Sequence, residues 1–330
     1  MAKIGIIGAG TWGTALSKML AESGHSVVLW SALKEEAEML RTDRRHPKLK
    51  DVLIPEEIGI TDQIREALKE ADIAAFAVPS VYVRSTAKIA APYLESETVI
   101  VSVAKGIEPV TYLSMTSVIM EECHLAKERI VALSGPTHAE EVSIGLPTTI
   151  VAAGTDLKTA QYVQSVFANS YFRVYTNPDI EGVELCGALK NVIALAAGVS
   201  DGIGYGDNAK AAIITRGMAE IARLGKAMGC DERTFYGLAG IGDLIVTATS
   251  RHSRNNRAGN LMGRGFSAKE AIEQVGMVVE GINALPAAVG LSQKYDVEMP
   301  ITFAVNEMVH HGADPKTAVS LLMTREYKAE

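Results

Sequence analysis

The feature that most constrains this chain is residues 3–13, KIGIIGAGTWG. Ile4, Ile6 and Ile7 form a short apolar run suited to a buried parallel strand. Gly8, Gly10 and Gly13 then complete G-x-G-x-x-G. Residues 11–24 follow with Ala15, Leu16, Met19 and Leu20 at helical spacing. A strand, a glycine turn and a helix in that order point to a dinucleotide-binding unit. Gly8 allows the tight turn, Gly10 lets a pyrophosphate approach the backbone, and Gly13 lets helix and strand pack closely. The helix N-terminus offers unpaired N–H groups and a partial positive charge to that pyrophosphate.

The next strand is Ser26–Trp30. An acid near its end, about 20 residues past the glycines, would hold the ribose 2′-hydroxyl of NAD. Ser31, Ala32 and Leu33 stand there instead, followed by Lys34. The missing carboxylate removes repulsion against a 2′-phosphate, so NADP(H) is the expected cofactor, with NAD(H) as the alternative. Residues 41–50, RTDRRHPKLK, form a basic stretch. It reads as a solvated face, or as a rim that attracts the cofactor phosphates.

Strands are expected at 72–79, 97–105, 129–136, 148–154 and 172–176, and helices at 61–71, 80–93, 112–124 and 156–168. This alternation predicts βαβ units and a parallel-rich sheet. Lys105 and the 135–139 loop (Gly135, Pro136, Thr137, His138, Ala139) fall at carboxyl ends of strands, where such sheets bind ligands. After Pro178 the pattern becomes helical, over 180–199, 210–228, 232–238, 268–273, 281–295, 300–311 and 314–323. The expected architecture is therefore an α/β Rossmann-like N-terminal domain over residues 1–178, followed by an all-α C-terminal domain over 179–330.

Composition narrows the function classes. The net charge of −7 argues against nucleic acid and anionic membrane as partners. Cys123, Cys186 and Cys230 are dispersed and odd in number, as in reduced cytoplasmic proteins rather than disulfide frameworks. The adjacent His310 and His311 lack the spacing of metal ligands, and no metal is expected. The fingerprint begins almost at once, which suggests no leader peptide, and no apolar run suggests a membrane span.

In the helical half, Lys190 lies among Ala188, Leu189, Val192, Ile193 and Ala194. A lysine there either snorkels to solvent or serves chemistry. In the second case it would protonate the alkoxide that forms when a carbonyl accepts hydride. The reverse reaction needs the neutral amine, which burial and cations such as Lys105 or Arg254 favour and a carboxylate such as Asp243 opposes. Residues 239–247, AGIGDLIVT, read as a glycine-rich turn carrying Asp243 into apolar surroundings. There it needs a partner or serves as a helix cap. Residues 250–257, SRHSRNNR, read as a loop of cations, amides and hydroxyls suited to phosphate oxygens. Glu280 precedes a helix as a surface or capping residue.

Taken together, GAGTWGTALS at 8–17, AKGIE at 104–108, LSGPTHAEEV at 133–142, the run from Gly187 to Gly217, GIGDLIVT at 240–247, SRN at 253–255 and VVEG at 278–281 resemble the NAD(P)-dependent glycerol-3-phosphate dehydrogenase family, bacterial type. The resemblance covers nearly the whole chain. It implies reversible reduction of dihydroxyacetone phosphate to sn-glycerol 3-phosphate for glycerophospholipid synthesis, with Lys190 as proton donor and acceptor. It implies that Lys105, Gly135, Thr137, Lys190, Asp243, Ser253, Arg254 and Asn255 hold substrate. Thr11, Trp12, Lys105, Ala139, Arg254, Val278 and Glu280 would contact the cofactor beside Gly8, Gly10 and Gly13. Family members often carry His or Arg where this chain has Ser31 and Ala32, and an aromatic residue in place of His138. A cytoplasmic homodimer is also implied. The alternatives are a related two-domain hydroxyacid or 6-phosphogluconate-type dehydrogenase, and a non-catalytic nucleotide sensor.

Overall fold

The computed structural model describes residues 1–49 and 51–326. The chain divides into two compact units, Met1–Lys105 with Leu113–Glu184, and Gly106–Tyr112 with Leu185–Glu330. The first unit runs through Glu184, and a short internal segment belongs to the second.

The first unit is built on strands β1 Lys3–Ile7, β2 Ser26–Trp30, β3 Gly59–Thr61, β4 Ile73–Phe76, β5 Val99–Ser102, β6 Ile130–Ser134, β7 Thr148–Ala153 and β8 Phe172–Asn177. Its helices are α1 Thr11–Glu22, α2 Lys34–Asp43, α3 Ile64–Leu68, α4 Val83–Ala90, α5 Met115–Cys123, α6 Ala139–Val142 and α7 Leu157–Phe167. The sheet order is β3-β2-β1-β4-β5-β6-β7-β8, parallel throughout except for the antiparallel β6–β7 pair. A parallel sheet buries both faces, which explains why its strands are apolar runs. Ile4 and Ile6 pack with Leu16, Met19 and Leu20 of α1 on one face. Ile7, Phe76 and Ile100 pack with Ala87, Ala90, Val118 and Ile119 on the other.

The second unit begins within α8, Ile180–Ile203. It continues through α9 Asp207–Met228, α10 Glu232–Phe235, α11 Asp243–Thr249, α12 Arg254–Gly263, α13 Ala268–Val275, α14 Glu280–Tyr295, α15 Pro300–His311 and α16 Pro315–Met323. By length and composition α8 could cross a membrane, yet its apolar window is wholly buried inside the protein. It is the spine of this unit's core, with Leu189, Val192, Ile193 and Leu195 all buried. Its fit with α12 rests on glycines from both helices. An added Cβ at Gly198, Gly202, Gly259 or Gly263 would lie 2.1–2.2 Å from a carbonyl oxygen of the facing helix. The two backbones are therefore in contact.

Two expectations are corrected here. Of residues 250–257 only the first four are a loop, because Arg254–Gly263 is helical. Ser253 caps that helix by accepting a hydrogen bond from Asn256 N at 3.2 Å. The polar run hides a buried face of Asn255, Ala258, Gly259 and Met262. The expected 61–71 helix shrinks to Ile64–Leu68, because Gly59–Thr61 pairs with β2 as an edge strand.

Two buried carboxylates cap helices from a distance. Glu220 of α9 accepts from Ile301 N at 2.7 Å and Thr302 N at 3.2 Å, at the start of α15. Within the first unit, Glu184 accepts from Thr116 N at 2.9 Å and from the Thr116 hydroxyl, at the start of α5. Burial pushes both carboxyl groups above their ordinary range, against the pull of these donors.

Candidate active site

In the first unit the strand order reverses between β1 and β4, and ligands of such sheets bind beyond the carboxyl ends at that point. The glycine fingerprint sits there. Gly8 has φ +123°, a conformation that side chains resist. A Cβ at Gly13 would lie 1.9 Å from the Gly8 carbonyl oxygen, so only glycine lets α1 start this close to the turn. Gly10 differs, since an added Cβ would meet no protein atom within 4 Å. Gly10 is also the N-cap of α1 and gives no side-chain hydrogen bond to the first-turn N–H groups. Open space above an uncapped helix start suits a pyrophosphate.

Thr11 and Trp12 open α1. Trp12 packs on a small cluster of Ala15, Leu49, Val52 and Ala139. Two residues expected at the cofactor, Trp12 and Ala139, therefore share one apolar patch. Beyond β5, Lys105 Nζ donates to the Gly135 carbonyl oxygen at 3.0 Å, and Thr137 Oγ1 donates to the same oxygen at 3.1 Å. The structure thus brings Lys105 to Gly135 and Thr137, although 30 residues separate Lys105 from Gly135 in sequence.

The end of β2 carries a correction. No carboxylate stands at residues 31–34, but one from the first turn of α2 reaches the strand end in space. Ser31 Oγ donates to Glu36 Oε2 at 2.5 Å. In the basic stretch two arginines are turned to backbone carbonyls. Arg41 donates through Nε and Nη2 to the Ile60 carbonyl, both at 3.2 Å. Arg44 Nη1 donates to the Ile58 carbonyl at 2.8 Å and the Pro55 carbonyl at 3.3 Å. These two arginines brace the chain before and within β3, while Arg41, Thr42, Asp43, Arg45, Pro47 and Lys48 are exposed, as expected of a solvated face; Lys50 lies outside the described residues.

In the second unit Lys190 does not snorkel. It is 4% exposed and Asp243 only 1%. Lys190 Nζ donates to Asp243 Oδ1 at 2.5 Å and to Thr247 Oγ1 at 2.7 Å. The glycine-rich turn before Asp243 is a π-helical turn, Leu238–Gly242. It delivers Asp243 as the first residue of α11 rather than as a cap. Thr247, one turn later, donates to the Asp243 carbonyl at 2.6 Å, which fixes its hydroxyl as an acceptor for the lysine. A buried charge persists only when paired and hydrogen-bonded, and this one is both.

Beside it, Asn255 Nδ2 donates to Asn191 Oδ1 at 2.9 Å, while Asn255 Oδ1 accepts from Gly281 N at 2.8 Å. Asn191 Nδ2 in turn donates to the Gly187 carbonyl at 3.1 Å. This chain of amides ties α8, the start of α12 and the start of α14 into one frame. Arg254 opens α12 and Glu280 opens α14, two residues after Val278. Glu280 is thus the first helical residue rather than a residue before the helix.

Sequence reasoning passed over Thr247 and Asn191 as members of the site. The signals were present: Thr247 is one helical turn from Asp243, and Asn191 adjoins Lys190 on a face shared with Gly187. Among the described residues no group of three His, Cys, Asp or Glu side chains is placed to hold a metal ion.

Comparison with known proteins agrees on one family. Two family models match, described as NAD-dependent glycerol-3-phosphate dehydrogenase N-terminus over residues 3–160 and C-terminus over residues 179–320. The chain is 59% identical over 334 aligned residues to glycerol-3-phosphate dehydrogenase (NAD(P)+) 2 of Lactobacillus delbrueckii subsp. bulgaricus, covering 100% of this chain and 99% of that one. It is 52% identical over 331 residues to glycerol-3-phosphate dehydrogenase (NAD(P)+) of Agathobacter rectalis, covering 100% and 98%. Among solved structures, glycerol-3-phosphate dehydrogenase from Coxiella burnetii superposes with a TM-score of 0.94 at 35% identity, covering 98% of this chain and 99% of that one.

Proposed function

Since the chain belongs to the NAD-dependent glycerol-3-phosphate dehydrogenase family, and so to the NAD(P)-dependent oxidoreductases acting on a CH–OH group, we propose that Lys190 is the group that moves the proton when dihydroxyacetone phosphate and sn-glycerol 3-phosphate interconvert. The observation that carries this is the buried Lys190–Asp243–Thr247 cluster. A charged amine held this far from water acts strongly on a nascent oxyanion.

The residues divide the work as follows. Gly8, Gly10, Gly13, Thr11, Trp12 and Ala139 bind the dinucleotide, with Lys105, Arg254, Val278 and Glu280 as further contacts. When bound, the nicotinamide would supply the hydride. Lys190 gives its proton to the substrate oxygen as that hydride reaches the carbonyl carbon, and takes it back in the reverse direction. Asp243 keeps the ammonium charged and aimed, and Thr247 fixes its second direction. Arg254 holds the substrate phosphate, with Lys105, Gly135 and Thr137 as partners. Ser253 holds the first turn of α12, and Asn255, through its bonds to Asn191 and Gly281, fixes where that turn points.

The family resemblance and the net charge of −7 support the wider setting: a cytoplasmic homodimer that serves glycerophospholipid synthesis and binds neither membrane nor nucleic acid. Light scattering after size exclusion tests the dimer. The reaction is tested by following reduced-nicotinamide absorbance when dihydroxyacetone phosphate is added, beside a panel of keto acids. Oxidation that needs dihydroxyacetone phosphate is expected. Turnover of keto acids alone would replace the substrate assignment, and cofactor binding with no turnover would make the protein a sensor.

A further inference from the structure

At the end of β2 a buried hydroxyl and a carboxylate are in contact. Ser31 is the first residue past the strand, and its N–H donates to the Thr61 carbonyl at 3.0 Å, so its backbone is held by the neighbouring strand. The side chain is 2% exposed. Its hydroxyl accepts from Leu33 N at 3.1 Å and donates to Glu36 Oε2 at 2.5 Å. Both hydrogen-bonding roles of the hydroxyl are thereby committed, and the carboxylate beside it is fixed in place.

In sheets with this strand order, an acid here hydrogen-bonds the ribose 2′-hydroxyl of NAD, whereas a cation here accommodates the 2′-phosphate of NADP. The surroundings of Glu36 follow the first pattern. Glu35 and Glu36 both lie in the first turn of α2, whose N-cap Leu33 contributes no side-chain hydrogen bond. Two carboxylates in that turn offset the helix-end charge that would otherwise draw a phosphate. Arg41 and Arg44 are turned to the carbonyls of Ile60, Ile58 and Pro55. His46 is buried, and burial lowers its pKa more than the nearby Glu36 charge raises it, which disfavours its charged form; the exposed Lys48, whose charge also acts on His46, is a cation of the same region. Lys34, in the same turn, is exposed to solvent.

We infer that Glu36, anchored by Ser31, is the specificity-determining residue for the cofactor and makes this chain an NADH enzyme that discriminates against the 2′-phosphate. The inference rests on the fingerprint being a dinucleotide site, as proposed above. The carboxylate acts twice: it accepts from the ribose 2′-hydroxyl, and it repels a phosphate in the same place. An added phosphate charge beside a carboxylate at a protein surface costs on the order of tenfold in affinity or more.

The test is a binding titration of NADH and NADPH by nicotinamide fluorescence, without substrate, on the parent, on Glu36→Gln and on Ser31→Ala. The parent is expected to bind NADH about tenfold more tightly than NADPH, with the gap narrowing as salt rises. Glu36→Gln keeps an acceptor for Ser31 and removes the charge, so it should tighten NADPH binding about tenfold and weaken NADH slightly. Ser31→Ala frees the carboxylate and should narrow the gap partway. Equal or tighter NADPH binding by the parent would overturn the inference while leaving the dinucleotide site standing. An unchanged NADH-to-NADPH ratio in Glu36→Gln would overturn the role of Glu36. Failure of the parent to bind either nucleotide would overturn the dinucleotide site, and this inference with it.

Discussion

Replacing Lys190 with Met separates the two roles of the buried pair. The ammonium lies 2.5 Å from Asp243 Oδ1 and 2.7 Å from Thr247 Oγ1, in a place where the two ionic side chains are only 6% and 1% exposed. A positioned general acid contributes about 10²–10⁴ in rate, so Lys190→Met should lower kcat by that factor, about 3–5 kcal/mol of barrier. The same change leaves Asp243 buried without its counter-charge, which costs about 3–5 kcal/mol of stability. A single variant therefore loses activity for two reasons at once. The pair Lys190→Met with Asp243→Asn removes both charges and keeps the shape. Its stability should return to within about 1 kcal/mol of the parent, since a buried ion pair is worth little against neutral groups that fill its space. Its turnover should stay lost. The assays are the denaturant midpoint at pH 7 for stability, nicotinamide fluorescence for cofactor binding, and loss of reduced-nicotinamide absorbance for turnover. Near-parental kcat in Lys190→Met would remove the lysine from the chemistry. Recovery of turnover in the double variant would reduce its role to neutralising Asp243.

Further outcomes follow from other parts of the molecule. Arg254→Ala should raise KM for the phosphorylated substrate about 10–100-fold, the worth of a charge-assisted hydrogen bond, with a smaller change in kcat; an unchanged KM would count against a phosphate contact. In Gly259→Ala the new Cβ would start 2.1 Å from the Leu195 carbonyl oxygen, so α8 and α12 must separate. An overpacking cost of about 1–3 kcal/mol is expected, with a fall of roughly 10² in kcat/KM if the start of α12 moves by about 1 Å; parental kinetics would show that the helix contact does not govern the site. The Glu220 carboxyl is pushed above its ordinary 4.5 by burial, so the native state holds the proton more tightly than the unfolded chain. Stability from this group is then greatest below about pH 4.5 and declines as pH rises through the native value. Glu220→Gln should remove that decline, so its stability relative to the parent should rise as pH increases above about 4.5 in denaturant titrations; parallel pH profiles would refute the linkage.

What sequence revealed was local in origin. The β1 turn was legible because each glycine answers a need within the same few residues: φ at Gly8, close packing at Gly13, open space at Gly10. Lys190 stood out because an ammonium in an apolar helix is costly wherever that helix lies. The start of α12 was not legible, since Arg254–Gly263 is polar by composition and its burial depends on glycines of α8, more than 50 residues earlier in the chain. Strand β3 is three residues long and owes its existence to pairing with β2. Glu36 escaped notice because a helix turn, not sequence adjacency, brings it to Ser31. The pattern among these is consistent: needs met within one element could be read, and needs met by a neighbouring element could not.

The segment Gly106–Tyr112 has a practical consequence. Ile107 is buried in the core of the helical unit, and a side chain on Gly290 of α14 would start 2.3 Å from the Tyr112 hydroxyl oxygen. A fragment beginning at Asp179 would leave the seats of Ile107 and Tyr112 empty, and a fragment ending at Pro178 would carry both side chains bare into water. Splitting the gene at its apparent junction therefore yields two incomplete pieces, and exchanging halves between related genes would require moving the short internal strap together with the distant helices that receive it.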